Sequence, residues 1–463
     1  MGAAGAAGGI DATETPPLPD WSRLPLDPLL VVMVALEAPD LVRSGAACSS
    51  WRAAYATVRR LRIPTAESAP CLFYPRADDA GGGGDPDAAT IYNPATGASF
   101  RVRLPDPPLR RRSLHGSGHG WLVAADEASN LHLVNPLTGA QHALPPITGL
   151  HNTELAHSDE QGNPMYNVYE VEYPSTDPEP LAYAASELRL YMYFKAVLSC
   201  SPCAGSSCVV LLLHQSDGEL SFARLGDEAW TWIGGDEYYD GEVDGGEDWL
   251  LEGYRDAVYN EKDGLFYVLG YGADIITLDL KGNSPVVKKI MKDVTNQDDP
   301  TKYLVITPWG DLLQVWRMTD SRSSTTPVQR SAEGMEDCDV GIGMEDSDVE
   351  VPEDPNHELC TEEIQLYKVD IDNQKLMRIT SLGDYALFLG LNSTMVLSTK
   401  DFPTLKADSA YLAHDNFEDI LIHTYSGKEI GIWNFRSGTL EVVDNVHSWQ
   451  NWPVPIWITP SLC

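Results

Sequence analysis

The spacing of apolar and polar positions changes character near residue 64. From Leu24 to Arg62 apolar residues recur at helical spacing, with breaks at Pro25, Pro39 and the Ser49-Ser50 pair. This predicts three short helices. The first covers about Asp27 to Leu36, with Leu29, Leu30, Met33 and Leu36 along an apolar stripe. The second starts after Pro39, with Asp40 as an early acid favoured by the helix dipole, and the third is capped by Ser49 or Ser50. A module this small buries too little surface to be robust alone, so a partner or a docked domain is expected.

After Pro64 the helical period stops, and short apolar or alternating runs stand between turn signals. They are Cys71–Tyr74, Trp121–Ala124, Leu188–Val197, Val209–His214, Leu265–Gly270, Ile275–Leu280, Tyr303–Ile306 and Gln314–Met318, followed by Ile364–Val369, Ala386–Leu391, Ile420–Thr424, Gly431–Phe435 and Leu440–Val443. An internal echo runs through them. Ile91-Tyr-Asn93-Pro-Ala-Thr-Gly97 and Leu133-Val-Asn135-Pro-Leu-Thr-Gly139 lie 42 residues apart, with looser versions at Phe222–Trp230 and Trp433–Leu440. A period of about 40–45 residues is that of a four-stranded propeller blade. The fold expected is mainly β: a three-helix module over 20–64, then a β-propeller of about six blades, or seven, over 65–463.

Composition refines this reading. Residues 1–19 are rich in Ala, Gly and Pro and read as a disordered leader, and 331–363 as a disordered acidic insertion without Lys or Arg. A second acidic insertion runs from Asp227 to Asp256. The net charge of −36 argues against nucleic acid and anionic membranes as partners. No stretch reads as a signal or a membrane span, and Ala6 stands where a myristoylation signal needs Ser or Thr. The eight Cys are scattered rather than framework-like, so a reducing compartment, cytoplasm or nucleus, is expected.

Trp21-Ser-Arg-Leu24-Pro25, the Leu-rich first helix, Leu41-Val42-Arg43 and Cys48-Ser-Ser-Trp51-Arg52 together resemble an F-box, with Ala47 departing from the usual Val. The remainder resembles plant F-box proteins with a C-terminal propeller-like domain, on stretches such as Ser117-Gly-His-Gly-Trp-Leu122, Leu382-Gly-Asp384, Asp401-Phe-Pro403 and Pro453-Val-Pro-Ile-Trp457. The resemblance implies that Leu24, Pro25, Leu29, Leu30, Met33, Leu36, Leu41, Val42 and Trp51 bind the adaptor subunit of a cullin-based ubiquitin ligase. The propeller would then recruit an unidentified target protein. Catalysis by the chain itself is not expected. The alternatives are a propeller enzyme with a carboxylate or His cluster in its channel, and an F-box protein acting by sequestration without ubiquitin transfer.

Other constellations are weaker. Cys200, Cys203 and Cys208 with His214 could ligate zinc, but the spacing lacks a second clean pair. Asp236, Asp240, Gly241 and Glu247 match part of a calcium loop, yet Tyr238 occupies a ligand position. Gly116-x-Gly118-x-Gly120 reads as a turn entering a blade, and Arg110-Arg111-Arg112 as an exposed basic loop. No nucleophile elbow or phosphate loop is present. No metal and no cofactor are therefore expected.

Overall fold

The computed structural model describes residues 20–61, 68–75, 87–159, 162–169, 180–215, 218–234, 253–282, 284–294, 300–323, 357–422, 428–443 and 453–463. Contacts divide the chain into two units, Met1–Glu67 and Ser68–Cys463. The calcium-loop residues Asp236 to Glu247, the leader and 324–356 lie outside the described residues.

The first unit holds three helices, α1 (Leu26–Val34), α2 (Ala38–Gly45) and α3 (Ser49–Leu61). Pro39 stands in the first turn of α2, where its missing N–H costs nothing. Leu29 and Met33 lie four apart on α1 and meet Leu41 of α2 and Ala54 and Val58 of α3 in a buried centre. Gly45 permits the close approach of α2 to α3. A Cβ there would lie 2.7 to 2.9 Å from ring and β-carbons of Tyr55.

The second unit is a ring of sheets whose strands pair antiparallel apart from one pair in blade six. Blade one pairs Cys71–Pro75, Ala88–Asn93 and Ala98–Arg103 with the far C-terminal strand Ile456–Ile458. Blade two contains Ser113–Gly118, Trp121–Ala125, Leu131–Val134 and Gln141–Ala143. Blade three contains Tyr193–Leu198, Val209–His214, Glu219–Arg224 and Thr231–Trp232. Blade four contains Tyr254–Asn260, Leu265–Gly270, Ile275–Asp279 and Val286–Met291, and blade five Thr301–Ile306, Leu312–Ser323, His357–Asp370 and Lys375–Ile379. Blade six contains Tyr385–Leu389, Ser409–Leu412, Gly431–Asn434 and Thr439–Val442. In blade six Met395–Ser398 is added at one edge, and the first two strands run parallel.

Six apolar clusters settle the blade number. Each joins two successive blades, from Phe73 and Leu122 between blades one and two, round to Phe388 and Trp457 between six and one, and the one between blades two and three also takes in Tyr166 and Val168 of a further sheet. A further three-stranded sheet, Thr153–Ser158, Pro164–Val168 and Leu181–Ala184, stands between blades two and three in sequence but not in the ring. The reason is steric: Gly116 of blade two packs so close to the Ala196 carbonyl of blade three that a Cβ would lie 2.3 Å from it. Two sheets in such contact leave no room for a third between them.

The 42-residue echo is a turn. Asn93 Oδ1 accepts the backbone N–H groups of Ala95 and Thr96, and Asn135 those of Leu137 and Thr138. Asn434 does the same with Arg436 and Ser437 in blade six. Gly97, Gly139 and Gly438 then adopt φ of 68°, 69° and 63°, which a glycine supplies at no steric cost.

Four local expectations are corrected. Leu188–Val197 is not one strand: α4 (Ala185–Tyr191) precedes Tyr193–Leu198, and Leu188 and Met192 are both buried at helical spacing in a mainly apolar run broken by Arg189 and Lys195. Ile420–Thr424 falls partly in α5 (Phe417–Ile422), whose start is marked by Asn416 Oδ1 accepting the Asp419 N–H at 2.8 Å. His357–Glu363, expected inside a disordered insertion, are strand residues of blade five. Their acids are neutralised by Arg322 (3.1 Å to Glu362) and Arg378 (2.6 Å to Glu363). Arg112 is not exposed but wholly buried, donating to the carbonyls of Pro105 and Pro107, and Arg111 pairs with Glu127.

Candidate adaptor interface

The nine residues expected to bind an adaptor separate into two sets. Leu29, Met33 and Leu41 are buried at 0–1% exposure and form the centre of the helical unit, where the Ser44 hydroxyl also reaches Met33 Sδ at 3.1 Å. Leu24, Leu30, Leu36, Val42 and Trp51 are half-buried, and Pro25 is exposed at the α1 N-cap. The Trp51 indole N–H donates to the Trp21 carbonyl at 3.1 Å, fixing the chain entering α1.

Sequence reasoning missed a second stripe. Leu26, Leu30 and Val34 fall four apart on α1, beside Val31, and Leu26 and Val31 are 46% and 70% exposed. Trp21 adds 60% exposure just before them. The signal was present in the sequence, because α1 is apolar on nearly every side, and a helix of that kind is covered on more than one face. The three-helix centre covers only the Leu29 and Met33 side.

The inner strands of the propeller carry charge, and each charge is tied. Lys195 Nζ lies 2.7 Å from Asp256 Oδ1 and donates to the Gly390 carbonyl at 3.2 Å, while Asp256 Oδ2 accepts the Leu304 N–H at 2.7 Å. Four blades meet in this network. Burial pushes the Asp256 carboxyl up, with Lys195 opposing it. Between blades five and six, Arg317 contacts Asp415 (3.2 Å) and Glu429 (2.8 Å) and donates to the Thr361 hydroxyl (2.8 Å). Burial works against the Arg317 charge, but Tyr303, Asp415 and Glu429 outweigh it and raise its pKa. Asp419 receives His414, Lys428 and His357 at 2.7 to 2.8 Å. Burial there favours the neutral acid, but His414 and Lys428 prevail and hold the carboxyl below its usual range.

A cavity of about 30 Å³ lies beside α5, lined in part by His115, Tyr193, Phe194, Phe417 and Ile420. Phe417 meets Phe194 edge-on at 4.4 Å. That volume holds one or two waters rather than a substrate. The Lys195–Asp256 and Arg317–Asp415–Glu429 pairs join strands and loops of different blades.

Gly116 and Gly118, expected in a turn, lie in the first strand of blade two, and only Gly120 has the positive φ of a turn, 82°. The Cys200, Cys203, Cys208 and His214 set does not converge. Cys203 is joined to Cys463 across 260 residues, the Cys208 thiol faces the Cys200 carbonyl, and the His214 ring bonds to Gln215 and Ser221.

Residues 91–434, spanning all six blades, match the family model described as KIB1-4 beta-propeller. The chain belongs to the KIB1-4 β-propeller family. Its curated relatives include F-box protein SKIP23 of Arabidopsis thaliana, 25% identical over 451 residues that cover 95% of this chain and 96% of the relative. F-box protein At2g17036 of the same plant is 22% identical over 471 residues, covering 96% and 95%. Among solved structures, one described as a candidate 6-phosphogluconolactonase from Bacteroides fragilis is similar over 84% of this chain and 98% of that chain, at 11% identity and a TM-score of 0.31. The family match and the relatives together support a plant F-box protein with a C-terminal KIB1-4 propeller. On that propeller Trp309 is 47% exposed, held 4.6 Å from the Tyr385 ring and bonded to Asp311, a rigid aromatic of the kind that anchors partners.

Proposed function

We propose that this chain is the substrate-recruiting subunit of a cullin-based, SCF-type ubiquitin ligase, a non-catalytic component that binds the adaptor through its helical unit and a target protein through its KIB1-4 propeller. The observation that carries this reading is the outward stripe of Leu26, Leu30, Val31 and Val34, apolar surface that the helical centre does not use. The F-box relatives, named as such over nearly their whole length, support it. Proximity and orientation of the bound target, rather than covalent chemistry, are what such a subunit contributes.

The test is capture of the purified full chain by the adaptor subunit. Wild type is retained, the Leu26→Asp, Val31→Asp double variant is lost with its circular dichroism unchanged, and the Leu24→Ala, Pro25→Ala pair is weakened. Failure of well-folded wild type to bind overturns the reading, as does undiminished binding by the Asp variant. A degradation assay on a captured target then separates ubiquitin transfer from sequestration.

A further inference from the structure

Outside the central charges, three potential ligands converge on blade three. His214 ends its second strand, Glu219 begins its third, directly opposite in register, and His151 comes from the segment leading into the inserted three-stranded sheet. A ligand atom of each lies within 4.8 Å of the other two.

The spacing of these atoms fits ligation. His151 Nε2 lies 3.2 Å from the Glu219 Oε2 carboxylate oxygen. A tetrahedral ion bonded at about 2.0–2.1 Å holds its ligand atoms about 3.3 Å apart. His214 is wholly buried, and its Nδ1–H donates to the Gln215 carbonyl at 2.6 Å, so that Nε2 accepts from the Ser221 hydroxyl at 2.9 Å, a bond that an ion at Nε2 would replace. A ligating imidazole commonly has its second nitrogen bonded to a carbonyl in this way. Asn152 donates to the same Gln215 carbonyl at 3.0 Å, and the His151 ring is stacked on Trp232 at 4.4 Å and 19°. Those contacts orient two of the three side chains. His151 reaches solvent, so an ion has a path in, and the widest separation shortens by roughly 1.5 Å when the set closes to tetrahedral spacing.

The geometry points to a zinc-class divalent metal site formed by His151, His214 and Glu219, with a fourth position open to water, that clamps the inserted sheet onto blade three. Nitrogen and carboxylate donors in this ratio suit Zn²⁺ and exclude a site selective for Ca²⁺ or Mg²⁺, which take oxygen ligands.

The test is titration of the chelator-treated full chain with Zn²⁺ against a chromophoric competitor, in a thiol-free reductant. Co²⁺ absorption is the second readout. Wild type binds one ion per chain and its melting temperature rises with Zn²⁺. His151→Phe keeps the stack on Trp232 and Glu219→Gln keeps the side-chain size, so both fold; each loses affinity by about tenfold or more and loses the thermal shift. A Cys48→Ser, Cys200→Ser, Cys360→Ser variant binds as wild type does. Absence of binding by wild type, equal binding by His151→Phe or Glu219→Gln, or loss in the Ser variant each overturns the assignment.

Discussion

The two units use their apolar surface in opposite ways. In the propeller, six clusters fill the spaces between six blades, and large side chains such as Phe73, Trp121, Phe388 and Trp457 are about 0–1% exposed. In the helical unit one short helix faces two ways, with Leu29 and Met33 inward and Leu26 and Val31 outward. A ring that closes on itself satisfies its own faces; three short helices cannot. Apolar exposure therefore concentrates where the chain is smallest, and that is where a common partner is expected.

The sharpest way to break the contrast lies among the buried charges. Arg317→Met leaves Asp415 and Glu429 buried without their cation, which costs about 3–5 kcal/mol, read as a lower urea midpoint of the propeller. Adaptor capture should survive in the same variant. Met33→Ala removes a wholly buried side chain of the helical centre and costs that unit about 2–5 kcal/mol, with capture lost through unfolding rather than through contact. Gly45→Ala drives a methyl into Tyr55 and costs about 1–3 kcal/mol in the same assay.

Acid should act on the propeller through its buried histidines. Burial lowers His115 to about 4 and His214 to about 3, both below the ordinary histidine value of 6.5. Each folded site resists a proton that the unfolded chain accepts, so their contribution is complete above about pH 6.5 and is lost as pH falls through about 4 and then 3. A His115→Gln variant should show a flatter fall of propeller stability between pH 6.5 and 4, followed by near-UV circular dichroism. The smallest stability effect belongs to Leu26→Asp with Val31→Asp, within about 0.5 kcal/mol because both sites are exposed, although adaptor capture disappears.

Much of this was legible in the chain. The apolar period that switches at residue 64 gave the helices and most of the strands, and the Asn-x-x-x-Gly turns gave the blade repeat, because both are local: a few neighbouring residues fix the backbone. Runs such as Leu188–Val197 were illegible, since a mainly apolar stretch, here broken only by Arg189 and Lys195, suits a buried helix and a buried strand equally.

Sequence by itself determined the element types, the blade period and the F-box-like segment, all set by short-range spacing and turn chemistry. Only the tertiary structure decided that there are six blades rather than seven, since that depends on Gly116 meeting Ala196 and on Ile456–Ile458 returning to Cys71–Phe73. It alone divided α1 into an inner and an outer stripe, and it set His214 beside His151 and Glu219 instead of the cysteines nearer in sequence. Ring closure and side-chain convergence join residues tens to hundreds of positions apart, and no local pattern encodes which of them will meet.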